Sequence, residues 1–552
     1  MPPIALLAPV VLPILAAIVA AATSRFREAI ARVVAATGAW AALAAIAVLW
    51  LTVRSTQELS LGPLGFGVGL DLRLDGVAVM FGVIALVPAA VLLTLQPRGW
   101  QESTVASLAI AAVVLAIESG NMVLTAIGGC TAATLAVVQF DIEDVRAVRP
   151  SWASVMIPWI ALAWAGVTLQ ILAGTAAYAA IPVSALTTQI FALIAIAALL
   201  GAGIVPWRGW AVRIWMRPSL RAASVTAATL LPLGLYLLVR AYELGNGRYP
   251  QSWLNLALAT WGVLVALGAA ARAQAAPSRS EYMAETVPGL AGFALMSIAI
   301  GTPVGLFAGL ILLASAALLT AALPLLPDRR GPAALLVAAA AAGVPPGLAF
   351  GGRVLGLADA FEAGNAFGLV AVAGAATWLV GVAAAARSVG LHAGRRRQAS
   401  DALALVAAVL GVMVLAAGPA VAAVASITSD AIAGVMPLPT GGLAPDALSI
   451  ITVSTTLPAV ALFGPLLLLG AAAVALSKPG PVTSAAQSKA PLFDVPGAAA
   501  AMRLRDGLRS WTIPEQYRSL FDPAALERLA AGGRPALWLA SLVALAIAVI
   551  SR

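Results

Sequence analysis

Runs of apolar residues long enough to cross a lipid bilayer recur from one end of this chain to the other, and no other feature narrows its fold so far. A helix needs about 20 predominantly apolar residues to span about 30 Å of hydrocarbon. Sixteen such runs lie near 4–22, 29–53, 74–95, 104–117, 121–140, 153–174, 184–205, 222–240, 252–271, 287–301, 304–326, 332–360, 367–387, 402–425, 448–476 and 536–550. In hydrocarbon every backbone donor and acceptor must be satisfied within the protein. The expected fold class is therefore all-α, a polytopic membrane protein of about sixteen transmembrane helices. The mean hydropathy of +0.99 and a charged fraction of 10% exclude a soluble domain, which carries about 25% charge. The first run lacks a basic flank and a cleavage signature, so it reads as a retained span rather than a signal peptide.

A net charge of +9 would suit a nucleic-acid binder, but the placement of the basic residues describes topology instead. The odd-numbered connections hold 26 of the 32 Lys and Arg residues. By the positive-inside rule those connections are cytoplasmic, which puts both termini on the outer face of an inner (cytoplasmic) membrane. The basic surface faces anionic lipid, and no nucleic-acid role is expected. The single cysteine, Cys130, lies inside a span, which leaves neither an internal disulfide nor a cysteine metal cluster.

Two spans are interrupted in the sequence. The stretch Gly343-Val-Pro-Pro-Gly-Leu-Ala-Phe-Gly-Gly-Arg353 breaks the twelfth span at Pro345 and Pro346 and sets an arginine just past the break. Proline removes a backbone donor and glycine relaxes the steric limits, so the helix should stop and restart there. The seventh span ends similarly in Gly201-Ala-Gly-Ile-Val-Pro206. Five spans separate the two breaks, and an odd offset inverts the second copy, which predicts two inverted five-helix repeats at 104–240 and 252–387. Residues 1–103 supply spans one to three and 402–476 spans fourteen and fifteen. The polar connection 477–535 is expected to lie on the cytoplasmic surface as short amphipathic pieces, ahead of the last span at 536–552. Asp75, at the mouth of the third span, is placed to cap that helix. Arg353 reads as the one basic residue inside the membrane, with Asp359 and Glu362 as the carboxylates available to it.

The pattern resembles the antiporter-like membrane subunits of respiratory complex I, membrane-bound hydrogenases and Mrp-type cation antiporters. Asp71–Phe81 is similar to the family's Asp-Gly start of the third span, and Pro206-Trp-Arg-Gly-Trp210 with Gly234-Leu-Tyr236 and Arg240 resembles its Pro-x-His-x-Trp, Gly-x-Tyr and Arg block, with arginine replacing the histidine. Ala284–Phe293 resembles the Ala-Tyr-Ser segment, and Gly343–Arg353 the Gly-Leu-Pro-Pro segment of the broken twelfth span. Sixteen spans with a surface segment before the last resemble the longest, distal member.

The resemblance implies a relay of titratable groups at mid-membrane, and most of those groups are missing. Carried over residue by residue, the span-five glutamate falls on Cys130, the span-seven lysine on Gly201, the span-eight lysine on Pro232 and the span-eleven lysine on Thr320 or Leu319. Only the span-twelve position keeps a charge, as Arg353. Lys478, Lys489 and His392 fall in cytoplasmic connections. A buried lysine can be tuned to exchange protons, whereas arginine stays protonated. The expectation is an accessory or structural membrane subunit of a multi-subunit oxidoreductase or hydrogenase-type complex, partnered by other membrane subunits and the lipid bilayer. The alternatives are a working conduit for protons, or for an anion such as bicarbonate, past Arg353, and a stand-alone transporter of a neutral solute. No nucleophile–base pair or nucleotide loop points to catalysis by the chain itself, and no cofactor is expected on it.

Overall fold

A computed structural model describes residues 3–388, apart from 25–27, 54, 66–67, 96–98, 143–151, 205–220, 277–278, 323–324, 326–331 and 345–346. Beyond these it describes 406, 409, 428–438, 449–451 and 456–458. Pro206, Pro345, Pro346, Lys478, Lys489, His392, most of the fourteenth span, the surface segment 477–535 and the last span lie outside the described residues.

Helices occupy each of the first thirteen expected spans. They are α1 (Ala8–Thr23), α2 (Glu28–Val53), α3 (Gly76–Leu95), α4 (Trp100–Ile117), α5 (Met122–Ile142), α6 (Trp152–Ala173), α7 (Thr188–Gly201) and α8 (Arg221–Leu244). The chain continues through α9 (Ser252–Gln274), α10 (Arg279–Ile300), α11 (Pro303–Ala322), α12 (Pro332–Ala342), α13 (Leu348–Glu362) and α14 (Asn365–Ser388). Among the described residues, nine helices are long and apolar enough to cross a membrane. The protein is a multi-pass membrane protein. Large apolar side chains such as Ile18, Val33, Trp164, Leu172 and Leu369 are exposed on the outside of the bundle, where lipid takes the place of water.

The fold is not purely helical. The Gly-rich connection after α2 forms an antiparallel hairpin, β1 (Gln57–Gly65) with β2 (Val68–Leu74), whose register pairs Gln57 with Leu74 and Ser60 with Asp71. Its Leu72 and Leu74 side chains are buried against the bundle, which is why a stretch this rich in glycine orders at all. A second, shorter pair, β3 (Ser449–Ile451) with β4 (Thr456–Pro458), stands where the fifteenth span was expected to begin. Of that expected span, 452–455 and 459–476 lie outside the described residues.

Helix α8 is the hub of the first half. It touches α3, α4, α5 and α7, and its residues from Leu230 to Tyr242 are buried throughout, with Pro232 accommodated inside an unbroken helix. Helix α11 plays the same part in the second half, touching α10 and α13, and it also reaches α3 and α8. Helices α9 and α10 meet backbone to backbone: a Cβ on Gly262 would lie 2.6 Å from the Gly292 carbonyl, and one on Gly292 would lie 2.7 Å from the Gly262 carbonyl. Small residues that allow such approach are the usual means of helix association in membranes.

Both interruptions predicted from glycine and proline coincide with helix ends. Helix α7 closes on Gly203 at φ +68°, with Gly203 N–H donating to Leu200 O and Ile204 N–H to Leu199 O. Helix α12 closes on Gly343 at φ +72°, with Gly343 N–H donating to Ala340 O and Val344 N–H to Ala339 O. This is one and the same reverse-turn cap at both places, and its left-handed residue is the position where only glycine is unstrained.

Candidate functional site with two buried arginines

Arg353 projects from α13 back across the break to the end of α12. The turn at Gly343 satisfies the carbonyls of Ala339 and Ala340, which leaves those of Ala341 and Ala342 without helical partners. Arg353 supplies them: Nη2 donates to Ala341 O at 3.0 Å and Nη1 to Ala342 O. Trp378 Nε1, from α14, also donates to Ala342 O at 2.8 Å. The guanidinium carbon lies 5.2 Å from the Phe293 ring centre and 5.6 Å from that of Trp378, within cation–π range. A Cβ on Gly343 would sit 2.3 Å from Nη1, so the glycine that makes the turn also makes room for the charge.

Carbonyls and aromatic faces therefore hold Arg353, and the expected carboxylates do not. Asp359, two turns further on, accepts from Thr302 Oγ1, while Glu362 is exposed at the last residue of α13. The physical reason is proximity to a helix C-terminus, whose partial negative charge substitutes for an anion. The Arg353 Nε has no hydrogen-bond partner, and a cleft of about 40 Å³ beside the side chain is lined by Tyr282, Glu285 and Thr286. A space of that size admits water, which needs about 10–15 Å³.

The second buried arginine was not foreseen as buried. Arg240, on α8, is 1% exposed, so Arg353 is not the only cation inside the bundle. Its guanidinium forms a two-pronged pair with Asp75, Nη1 to Oδ2 at 2.6 Å and Nη2 to Oδ1 at 2.9 Å. Nη1 also reaches Glu243 Oε2 at 2.7 Å, and Nε donates to the Tyr236 hydroxyl at 2.8 Å, which in turn donates to Ile117 O. Arg73, on β2, closes the ring by binding Glu243 Oε1 at 2.5 Å and lying 3.2 Å from Asp75 Oδ2. Asp75 caps α3 as expected, accepting from Ala78 N–H at 2.9 Å, and in addition ties α3 to α8 and to the hairpin. The spacing Tyr236, Arg240, Glu243 sets all three on one helix face and was the available signal.

The other positions onto which the resemblance carries relay groups are packed against neighbouring helices or bonded within their own helix. Trp159, on α6 and 1% exposed, occupies the space between α5 and α7: a Cβ on Gly129 would lie 2.1 Å from its ring, and one on Gly201 3.4 Å. Cys130, beside Gly129, is partly buried. Pro232 is buried in α8, and two residues on a Cβ at Gly234 would lie 2.3 Å from the Ala202 nitrogen, so α7 and α8 touch without intervening space. Thr320 is buried, with its hydroxyl donating to Ala317 O at 2.6 Å. Among the described residues no group of three or more His, Cys, Asp or Glu side chains could hold a metal ion.

The fold is shared with chains of solved membrane complexes. A chain of the Mrp complex from Dietzia sp. DQ12-45-1b is similar, with a TM-score of 0.70 and 20% identity, covering 95% of this chain and 62% of that one. This chain thus spans under two thirds of that relative. A chain of the membrane-bound sulfane sulfur reductase, an archaeal respiratory membrane complex, is similar over the full length of both, with a TM-score of 0.69 and 17% identity. A chain of respiratory complex I from Thermus thermophilus with bound NADH matches 79% of this chain and 99% of its own, at TM-score 0.63 and 19% identity. No family model and no curated protein matches the sequence.

Proposed function

We propose that the chain is a membrane subunit of a multi-subunit energy-converting complex, of the NADH-quinone oxidoreductase, hydrogenase or Mrp type, and that its role there is mainly structural. The observation that carries this reading is Trp159, whose indole fills the space between Gly129, next to Cys130, and Gly201. A proton relay through these spans needs titratable groups joined by water. Here an aromatic ring, a proline and glycines stand in their places. Arg353 keeps its charge, but a guanidinium does not release its proton at any physiological pH.

The finer architecture belongs to the same reading. It includes sixteen spans and a surface segment at 477–535, and inverted repeats at 104–240 and 252–387, for which the matched reverse-turn caps at Gly203 and Gly343 are the support. Both termini lie on the outer face of the inner membrane, and the partners are other membrane subunits. The test is reconstitution of the parent complex with and without this chain. Unchanged proton stoichiometry per electron is the expected result, and a stoichiometric loss of pumped protons on removal would refute it.

A second reading, that an ion passes Arg353, draws on the cleft lined by Tyr282, Glu285 and Thr286. A fixed positive charge there favours an anion over a cation. Flux in liposomes that survives Arg353→Ala unchanged would rule this reading out.

A further inference from the structure

The end of α12 has the composition of a cation site. Two carbonyls converge from Ala341 and Ala342, the helix C-terminus adds negative potential, and the Phe293 and Trp378 faces complete the enclosure. Gly343 lacks the Cβ that would fill it. We propose that this enclosure is a binding site for a planar monovalent cation of the guanidinium class, and that Arg353 occupies it as a tethered ligand.

Three features favour guanidinium over a spherical ion. The two carbonyls are engaged by two nitrogens of one planar fork, which a guanidinium satisfies in full, whereas an alkali ion, though it binds carbonyl oxygens, takes more ligands than these two. Flat aromatic faces on two helices, α10 and α14, match a delocalised, weakly hydrated cation. A carboxylate, which would favour any cation by charge alone, is not among Arg353's partners: Asp359 is engaged with Thr302, and Glu285, in the adjacent cleft, with Arg272. The proposal holds whether or not the chain conducts ions, because it concerns only what the enclosure binds.

The test is chemical rescue. Wild-type chain and Arg353→Ala are purified in mild detergent, and thermal unfolding is followed by tryptophan fluorescence with millimolar methylguanidinium, sodium, potassium or urea added. Arg353→Ala is expected to melt several degrees below wild type and to regain most of that loss with methylguanidinium alone, while wild type does not respond. Adding Gly343→Ala to the Arg353→Ala chain should weaken the rescue at least tenfold in half-saturating concentration. If Arg353→Ala does not fold unaided, folded yield with methylguanidinium against sodium becomes the readout. A variant as stable as wild type, or rescued equally by sodium, or not recovered by methylguanidinium at all, would overturn the proposal.

Discussion

Replacing Asp75 by Asn removes one charge from the buried ring of Arg73, Asp75, Arg240 and Glu243 while keeping the shape and the cap. Asn accepts from the Ala78 N–H as Asp does, so the helix start at Gly76 is preserved. What is lost is the two-pronged pair at 2.6 and 2.9 Å to an arginine that is 1% exposed. Breaking a buried pair by removing one partner costs about 3–5 kcal/mol, because the other charge stays buried. Glu243 remains at 2.7 Å from Arg240, which places the cost at the lower end, about 3 kcal/mol. Asp75→Ala loses the cap as well, and should cost about 1 kcal/mol more. Arg240→Met removes the opposite charge, so combining it with Asp75→Asn leaves Arg73 and Glu243 balanced. The double variant should therefore be more stable than the sum of the singles predicts, by about 2–3 kcal/mol. The assay is unfolding from mild-detergent micelles followed by tryptophan fluorescence. Asp75→Asn within about 0.5 kcal/mol of wild type, or strict additivity in the double variant, would refute the account of the ring.

Three further perturbations probe separate parts of the molecule. Glu118, just past the end of α4, is 2% exposed with neither carboxyl oxygen hydrogen-bonded, and burial raises its pKa well above 4.5. The folded state then holds a proton that the unfolded state releases, so stability is full below pH 4.5 and falls as pH rises toward the native pKa, by about 1.4 kcal/mol per pH unit. Glu118→Gln should abolish that slope, and an identical pH profile for the two proteins would count against it. Trp159→Ala should cost about 3–5 kcal/mol by leaving a cavity between α5 and α7, measured by the same unfolding assay. Gly234→Ala should cost about 1–3 kcal/mol, since its Cβ would meet the Ala202 nitrogen at 2.3 Å and force α7 from α8.

The helices were legible because hydrocarbon leaves the backbone no alternative to them, and the ends of α7 and α12 because glycine acts through its own backbone chemistry. The hairpin after α2 carried no clear strand signal: glycines and a proline interrupt its alternation, and the burial of Leu72 and Leu74 against the bundle selects it. Arg240 was placed at the surface because a basic residue near a span end usually lies there. Its partner Asp75 is 165 residues away and could be paired with it only through the fold. Trp159 carried no signal at all, since a tryptophan in an apolar run has the same appearance whether it faces lipid or plugs a gap. The partners of Arg353 were illegible for a deeper reason. Carbonyl groups belong to every residue, and which of them are orphaned depends on where a helix ends.

The two arginines answer the same electrostatic problem in different ways. Arg240 is neutralised by carboxylates, so its surroundings are themselves charged and its removal unbalances them. Arg353 is met by carbonyl dipoles and ring faces, while Glu285 of the adjacent cleft pairs with Arg272, so its removal leaves two helix-end carbonyls without their donor. In both cases the cation is fixed by several short contacts, on a group that does not change protonation. A proton carrier has to do the reverse, changing both its charge and its partners in each cycle. A buried arginine in each half of the chain instead joins helices: α3 to α8 and the hairpin in one case, α12 to α13, beside α14, in the other.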